Sequence, residues 1–439
     1  MRAGAGKGRA MTPREGGCAD APFGLVGRHL GHSWSPEIHE RLGSAPFSLF
    51  EVEPEELAGF VRGGSWRGLN VTLPYKRDVV ALADELTDRV RRLGAANTLV
   101  RRSDGTILAD NTDVMGFSWL LDDFLTNTVG LDPHGALRRR ETLVLGTGGA
   151  ASAVAMALEA HGARPTFVSR RGPERYEGVG TRHADAALVV NATPVGMWPD
   201  CPASPLPAEE LARMGDLVGV LDVIYNPERT GLLMEAERQG VPGRCGMGML
   251  VAQAVRSSEL FQGRGLDEGA IVLLRDALTR SMGNVALVGM PGVGKSSCAR
   301  ELARMCGREL VDLDAEVERE AGTSCERAIA ERGIEWFRGA EQRACQRVGR
   351  RARLVIACGG GVVEREANRL ALHQNSTVVW LRRPLALLAR DGRPILAEQG
   401  AEAIARRRYP LYEAWSDAVL DCTGSAEGDA RAIRAMLGL

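Results

Sequence analysis

The sequence has no cysteine pattern of the kind that builds a disulfide framework or a zinc module. Its nine cysteines contain no C-x-x-C pair and are irregularly spaced. The 55 basic and 56 acidic residues nearly cancel, so the net charge gives no drive toward nucleic acid or membrane. No internal repeat is visible. We therefore expect a protein of a reducing, cytoplasmic setting whose partners are small molecules; its oligomeric state stays open.

Long apolar segments are also scarce. Residues 1–20 are rich in glycine, alanine and arginine without an apolar core, which predicts a disordered leader rather than a secretory signal. The uncharged run Thr142 to Leu158 contains Gly146-Thr147-Gly148-Gly149, which favours strand, turn and helix over a membrane span. Strand-like and helical segments alternate throughout the 439 residues, which predicts an α/β protein with parallel sheets and about three domains.

The most specific motif is a P-loop. An apolar run, Val285 to Val288, reads as a buried strand, and Cys298 to Met305 reads as a helix. Between them the spacing predicts a loop whose backbone N–H groups surround a phosphate chain, with a lysine on the outer phosphates and a serine hydroxyl on Mg²⁺. The predicted ATP-binding residues are Gly289, Gly292, Val293, Gly294, Lys295, Ser296 and Ser297.

A second nucleotide-binding turn lies in the first half of the chain. The strand Leu143–Leu145 ends in Gly146-Thr147-Gly148-Gly149-Ala150, and the alanine-rich segment 151–160 reads as a helix. This is a variant of the Rossmann turn, with a pyrophosphate expected at the helix N-terminus. The next strand, Thr166–Val168, ends in Ser169-Arg170-Arg171, and arginine at this place favours the 2′-phosphate of NADP over NAD. The alternative is a surface arginine pair.

Several polar strings precede this turn. Ser35 reads as a helix N-cap before Pro36, and Lys76 follows a predicted strand. Lys76 and Asp113 both lie in loops beside amides and hydroxyls, as in a pocket for a polar ligand. A lone lysine or aspartate is otherwise usually a solvated charge.

Eight such strings, in order from about Phe23 to Leu278, together resemble the shikimate dehydrogenase family. They are HSWSP, GLNVTLPYK, AANT, DNTDVMG, GTGGA, NATPVGM, DVIYNPERTGLL and GMLVAQA. The resemblance implies that Lys76 and Asp113 form the catalytic pair. It assigns the substrate to Ser33, Ser35, Thr72, Asn97, Tyr225 and Gln253, together with that pair. It assigns NADP to Gly146, Gly148, Gly149, Ala150, Ser169, Arg170, Arg171, Thr193 and Gly246.

The chemistry fits those residue types. Reduction of the C3 ketone of 3-dehydroshikimate needs a hydride and a proton for the developing alkoxide. An ammonium group stabilises that charge and can donate the proton, and a neighbouring carboxylate keeps the lysine ionised. Quinate as the substrate, or NAD as the cofactor, is the near alternative.

After the P-loop, Asp312 and Asp314 are expected at the end of a strand, where their i, i+2 spacing would place both on one face. One would hold the water shell of Mg²⁺ and the other would act as a general base. Leu354–Ala357 reads as a strand that runs into Gly359-Gly360-Gly361, a turn suited to close ligand approach. Glu335 to Glu341 read as a helix.

In order and spacing, Asn284 to Leu439 resemble shikimate kinase. The resemblance implies that Asp314 engages the 3-hydroxyl, that Arg338 and Arg408 bind the carboxylate and that Gly359 to Gly361 line the substrate site. Asp312 and Ser296 would support Mg²⁺. Arg393, on a lid, would also bind ATP and would act with Lys295 on the transferring phosphoryl group. The intervals on both sides of Arg393 are shorter than is common in this family, which puts turnover in doubt more than the reaction type.

These resemblances divide the chain into a substrate domain (21–125 with 240–278), a Rossmann domain (126–239), a linker (279–283) and a kinase domain (284–439). They predict two consecutive reactions with NADP(H), ATP and Mg²⁺. One alternative keeps only the dehydrogenase active, with the kinase-like half as a shikimate-sensing module. A GTPase is disfavoured because no Asn/Thr-Lys-x-Asp guanine signature follows the P-loop.

Overall fold

The computed structural model describes residues 22–31, 33–389 and 400–439. Arg393 and the expected leader therefore lie outside the described residues. Contacts divide the chain into two compact units: residues up to 193 with 205–223 and 236–275, and residues 194–204 with 224–235 and 276–439. Within the described ranges, no helix combines the length and the apolar character needed to cross a bilayer.

The first unit contains two sheets. One is mixed and six-stranded, with strand order β2-β1-β3-β5-β6-β4; the other is parallel and five-stranded, with order β11-β10-β9-β7-β8. The strands are β1 (Phe23–Gly27), β2 (Phe47–Glu51), β3 (Gly68–Val71), β4 (Glu85–Leu86), β5 (Thr98–Arg101), β6 (Ile107–Asp110), β7 (Glu141–Leu145), β8 (Arg164–Val168), β9 (Leu188–Asn191), β10 (Gly219–Asp222) and β11 (Gly243–Arg244).

Helices lie between and after these strands along the chain. They are α1 (Ser35–Arg41), α2 (Leu57–Gly63), α3 (Asp88–Leu93), α4 (Thr112–Asp123), α5 (Gly149–Ala160), α6 (Val179–Arg182), α7 (Ala208–Leu211), α8 (Gly231–Arg238), α9 (Met247–Gln262) and α10 (Gly269–Met282). By contacts, α8 as far as Glu235 and α10 from Asp276 onward belong to the second unit. A 3-10 turn (Asp78–Leu82) follows the loop after β3, and a π-helical turn (Phe124–Val129) continues α4. The central strands β7 and β9 are buried along almost their whole length, as expected for a parallel sheet covered on both faces.

The second unit has one parallel sheet of order β13-β14-β12-β15-β16, surrounded by helices. Its strands are β12 (Asn284–Val288), β13 (Glu309–Asp312), β14 (Leu354–Ala357), β15 (Ser376–Arg382) and β16 (Ala418–Asp421). Its helices are α11 (Lys295–Cys306), α12 (Leu313–Ala321), α13 (Cys325–Arg332), α14 (Ile334–Gly349), α15 (Glu366–His373), α16 (Ala401–Trp415) and α17 (Ala426–Leu437), with 3-10 turns at Val362–Glu364 and Leu385–Leu387.

This architecture confirms the predicted α/β class with parallel sheets and a Rossmann-like sheet. Three local expectations differ. Helix α1 begins at Ser35, with Trp34 and not Ser35 in the N-cap position. The stretch 279–283, expected as a linker, is helical as far as Met282 because the apolar residues of α10 continue to that point. Asp314 lies in the first turn of α12 rather than in an extended strand.

Candidate active sites

The first site is centred on an ion pair between Lys76 and Asp113. The lysine Nζ donates to Asp113 Oδ2 at 2.6 Å, and both side chains are largely buried, with exposed fractions of 21% and 12%. The other carboxylate oxygen, Oδ1, accepts from Asn97 Nδ2 at 2.8 Å. Each oxygen of Asp113 thus accepts a hydrogen bond. These two bonds fix the orientation of the carboxylate and, through it, the position of the Lys76 ammonium.

Sheet topology explains why these residues meet. Strand β5 pairs antiparallel with both β3 and β6, so the end of β3, the start of β5 and the end of β6 lie at one edge. Lys76 follows β3, Asn97 precedes β5, and Asp113 follows β6 in the first turn of α4. The Ala96 N–H donates to the Lys76 carbonyl at 2.7 Å, which ties the two loops together.

Thr112 joins this network, although it was not among the predicted site residues. Its N–H donates to Asn97 Oδ1 at 2.7 Å, and Asn97 Nδ2 donates to its hydroxyl at 3.1 Å. The same hydroxyl lies 3.5 Å from Gln253 Oε1. Gln253 reaches this position because α4 and α9 approach closely at Gly116, where an added Cβ would lie 2.7 Å from the Met249 carbonyl oxygen.

The contacts of the remaining predicted substrate residues of this half are local ones. Ser33 and Ser35 bond through their hydroxyls at 3.1 Å at the start of α1. Thr72 follows β3, and its N–H donates to the Val26 carbonyl at 3.0 Å. Tyr225 belongs to the second compact unit, and burial raises the pKa of its hydroxyl.

The nucleotide turn between β7 and α5 has the backbone that a close ligand approach requires. Gly146 has φ +105°, and a Cβ there would lie 2.9 Å from Thr193, so glycine is needed. Gly148 is the N-cap of α5, which begins at Gly149 and continues into Ala150. Apart from the neighbouring backbone, no heavy atom of the described residues lies within 4 Å of a Cβ built at Gly148 or Gly149. The turn therefore leaves room at a helix N-terminus, as a pyrophosphate needs.

The end of β8 carries the residues expected at the cofactor ribose. Ser169 Oγ accepts from the Gly172 N–H at 2.9 Å, which shapes the loop. Arg170 and Arg171 are exposed beside it. Gly246 precedes α9, and a Cβ there would lie 2.1 Å from the Val223 carbonyl oxygen, so any side chain would push α9 away from the strand end.

The P-loop joins β12 to α11 as predicted, with α11 beginning at Lys295. Lys295 Nζ donates to the carbonyls of Gly289 and Met290 at 2.9 and 3.1 Å, so the ammonium is folded over the loop. Gly292 has φ +84°, and a Cβ there would lie 2.2 Å from the Ala389 carbonyl oxygen. Val293 is buried, whereas Gly294, Ser296 and Ser297 are exposed at the helix N-terminus, which suits a phosphate chain.

Asp312 takes a different position from the one the i, i+2 spacing indicated. Its Oδ2 accepts from Ser296 Oγ at 2.8 Å, and its Oδ1 accepts from the Asp314 N–H at 3.0 Å as the N-cap of α12. The two carboxylates therefore do not share one face of a strand, because the helix starts between them. The described residues contain no cluster of three or more metal-ligating side chains. The Ser296–Asp312 pair offers a hydroxyl and a carboxylate oxygen, and oxygen atoms are the ligands that Mg²⁺ prefers.

The Gly359-Gly360-Gly361 turn lies at the end of β14, beside β12 and β13. Because β12, β13 and β14 are parallel neighbours, the turn, the P-loop and Asp314 meet at one edge of the sheet. A Cβ at Gly359 would lie 2.8 Å from Asp314 Oδ1, and one at Gly361 would lie 1.9 Å from Arg338 Nη2. The turn therefore has to be glycine for Asp314 and Arg338 to approach it.

Two buried arginines complete this site, and carboxylates hold both. Arg338 donates from Nη1 to Glu341 at 2.8 Å and from Nη2 to Glu364 at 2.7 Å. Arg408, only 2% exposed, donates from Nε to Glu364 at 3.1 Å. Burial raises the pKa of Glu341, and the Arg338 charge offsets only part of this effect. Nothing in the sequence distinguished Glu364, because its role depends on a 3-10 turn that returns it to the arginines.

Comparison with known proteins identifies the first half. Residues 25–99 match the family model for the shikimate dehydrogenase substrate binding domain. The shikimate dehydrogenase (NADP⁺) of Oleidesulfovibrio alaskensis is 40% identical over 279 residues, which are 58% of this chain and 95% of the relative. The chain belongs to the shikimate dehydrogenase family. This finding confirms the resemblance predicted from the eight sequence strings.

Solved structures agree with this assignment. A chorismate mutase/shikimate 5-dehydrogenase fusion protein from Clostridium acetobutylicum is 31% identical, with a TM-score of 0.54, covering 60% of this chain and 98% of that one. A quinate dehydrogenase from Corynebacterium glutamicum, in complex with NAD, is 28% identical, with a TM-score of 0.51, covering 59% and 98%. Similar structures thus include enzymes named for different substrates, so structural similarity alone does not specify the substrate.

The second half matches a different family model. Residues 291–437 match the model for shikimate kinase, which confirms the predicted resemblance of the C-terminal part. The matched region runs from the P-loop through the glycine turn to Arg408 and beyond. Two enzyme families are thus represented in one chain.

Proposed function

We propose that the chain is a bifunctional enzyme of the shikimate pathway. Its first half reduces 3-dehydroshikimate to shikimate with NADPH, and its second half phosphorylates shikimate with ATP to shikimate 3-phosphate. Support comes from the two family matches together with the Lys76–Asp113 pair and the P-loop site. We further propose a cytoplasmic setting, supported by the cysteines of the described residues, all of which are free thiols.

The observation that carries this proposal is the placement of the lysines. The chain has three lysines, Lys7, Lys76 and Lys295, among 55 basic residues; the others are arginines. Lys7 lies outside the described residues, and each of the other two lies in a candidate site. Arginine does not give up a proton at physiological pH, and its flat fork differs from the compact ammonium that a P-loop uses. Both described lysines therefore lie where the proposed chemistry uses a lysine ammonium.

In the reductase reaction, we assign the proton to Lys76. NADPH, when bound at the Gly146 turn, supplies the hydride. The Lys76 ammonium stabilises the developing alkoxide and donates its proton to it, while Asp113 keeps the lysine charged and directed. Asn97 fixes the second oxygen of Asp113, so the pair presents one orientation to the substrate.

In the kinase reaction, positioning provides most of the catalysis. ATP with Mg²⁺ supplies the phosphoryl group. Lys295 and the P-loop N–H groups bind the phosphates, and Asp314 orients the acceptor hydroxyl and takes its proton. Arg338 and Arg408 bind the substrate carboxylate, a task suited to the planar guanidinium group.

Two reciprocal variants test the proposal. Lys76→Ala should lower kcat for reduction of 3-dehydroshikimate by about 10²–10⁴-fold, the usual contribution of a positioned acid, without changing phosphorylation of shikimate. Lys295→Ala should do the reverse. Arg77→Ala, at the exposed neighbouring position, is the matched control for a cation lost near Lys76.

Lys76→Arg makes the test sharper, because it keeps the positive charge and removes the transferable proton. We expect it to be nearly as inactive in reduction as Lys76→Ala. Loss of both activities in either alanine variant would contradict two separate sites. Full reduction by Lys76→Arg would contradict the role of proton donor.

A further inference from the structure

Glu364 occupies both arginines assigned to the kinase substrate. It ends the 3-10 turn Val362–Glu364, whose backbone is held by the bond from the Glu364 N–H to the Gly361 carbonyl at 3.0 Å. Its Oε2 accepts from Arg338, and its Oε1 accepts from Arg408. One carboxylate oxygen on each of two guanidinium groups is the arrangement expected for the substrate's own carboxylate.

The ion pairs persist although the carboxylate is partly buried. Burial alone would raise the pKa of Glu364, but the Arg408 hydrogen bond and the charges of Arg408 and Arg338 outweigh it and hold the pKa below its usual value. Glu364 is therefore ionised, and its negative charge occupies Arg338 and Arg408.

The occupied donors show what a ligand would meet. Arg338 gives Nη1 to Glu341 and Nη2 to Glu364, and Arg408 gives Nε to Glu364, before any substrate is present. A substrate carboxylate bound by these two arginines needs the same donors. One of the resident carboxylates therefore has to lose its contact.

Glu364 is the carboxylate that can leave. Its side chain is 21% exposed, against 1% for Glu341. On the solvent side it also contacts Arg407, whose Nε lies 3.0 Å from Oε1 and whose side chain is 53% exposed. A rotation toward Arg407 would release Arg338 and Arg408 while keeping one ion pair for Glu364.

We propose that Glu364 is an internal competitor for the substrate carboxylate and sets the affinity of the kinase half for its acceptor. This inference rests on the proposed kinase function. Glu364 occupies Arg338 and Arg408 in the free protein, and the acceptor displaces it toward Arg407. The contact weakens acceptor binding without any part in the transfer of the phosphoryl group.

The test is Glu364→Gln, which keeps the size of the side chain and removes its charge. We expect the Kd for shikimate, measured by titration calorimetry on the full chain without ATP, to fall by about tenfold, on the order of one charge-assisted hydrogen bond. The KM for shikimate should fall with it, while kcat and the KM for ATP stay within about twofold. An unchanged or higher Kd would overturn the inference.

Shikimate amide, which lacks the carboxylate, separates competition from a general effect on the site. Glu364→Gln should change the Kd of the amide by less than about twofold, since no carboxylate competes. An equal gain for acid and amide would overturn the inference. Glu366→Gln is the matched control, because Glu366 pairs with Arg369 on its own helix at 3.6 Å and does not contact either buried arginine.

Two measurements separate a failure of the proposed function from a failure of the competition: kinase activity of the unaltered chain and shikimate binding by the variant. If the unaltered chain does not phosphorylate shikimate, the proposed function fails, whatever Glu364 does. If it does, and the variant does not bind more tightly, only the competition fails. Reduction of 3-dehydroshikimate by the same preparation and the thermal unfolding of the variant show that the chain is folded; Glu364→Ala provides a second removal of the charge.

Discussion

The replacement Gly361→Ala tests the geometry of the arginine site directly. Gly361 has φ −103° and ψ 5°, which an alanine can adopt, so the change adds no left-handed backbone strain. The new Cβ would lie 1.9 Å from Arg338 Nη2 and 2.4 Å from its Cζ, whereas an ordinary contact needs about 3.4 Å. The guanidinium group therefore has to move by about 1.5 Å.

The size of this displacement allows the loss of kcat/KM for shikimate to be estimated. Arg338 donates at 2.8 and 2.7 Å to Glu341 and Glu364, and a shift of that size cannot preserve its alignment with a substrate carboxylate. One charge-assisted hydrogen bond is worth about 1.5–3 kcal/mol, so we expect kcat/KM for shikimate to fall by about 10–150-fold. The KM for ATP should change little.

Steady-state phosphorylation of shikimate, followed beside reduction of 3-dehydroshikimate, measures the effect. Gly339→Ala is the matched control: it lies on α14 next to Arg338, and its Cβ would meet only Arg343 at 3.4 Å. It should leave phosphorylation unchanged and stabilise the helix slightly. If Gly361→Ala retained the kcat/KM of Gly339→Ala, the proposed contact between the glycine turn and Arg338 would have no part in binding.

Two further predictions concern the first unit. Arg170→Ala should raise the KM for NADP far more than that for NAD, because only NADP carries the 2′-phosphate; equal effects in steady-state reduction would contradict the role. His39→Leu should flatten the pH dependence of unfolding: burial of His39 against Phe47 and Phe261 lowers its pKa from 6.5 to about 3, and Asn70 offsets only part of this effect. Well above pH 6.5 neither the folded nor the unfolded chain carries a proton on His39, and the free energy of unfolding is at its full value. As the pH falls below 6.5 only the unfolded chain binds this proton, so the free energy of unfolding decreases by about 2 kcal/mol between pH 7 and pH 5. Urea unfolding at both pH values checks this, and an unchanged pH dependence in the variant would refute it.

Local patterns predicted much of the fold, because a strand, a glycine turn and a helix are specified by neighbouring residues. The β12–P-loop–α11 and β7–turn–α5 units follow their predicted places to within a few residues. The prediction that Asp312 and Asp314 share one face of a strand, made from their spacing, was wrong. The i, i+2 rule assumes an extended chain, but Asp312 caps a helix that begins at Leu313, so the helix separates the two carboxylates.

The sequence alone determined the fold class, the two family resemblances and most of the residue types at each site. The reason is that each motif specifies, at a fixed spacing, the residue types that can bind a given ligand. The roles of those residues remain predictions for the variants above to test. Tertiary structure decided how they meet: antiparallel pairing of β3, β5 and β6 brings Lys76 to Asp113. It also revealed Glu364, whose contacts with Arg338 and Arg408 join residues 26 and 44 positions apart in the chain. No local pattern encodes such contacts, because they arise only when separate strands and turns share one edge of a sheet.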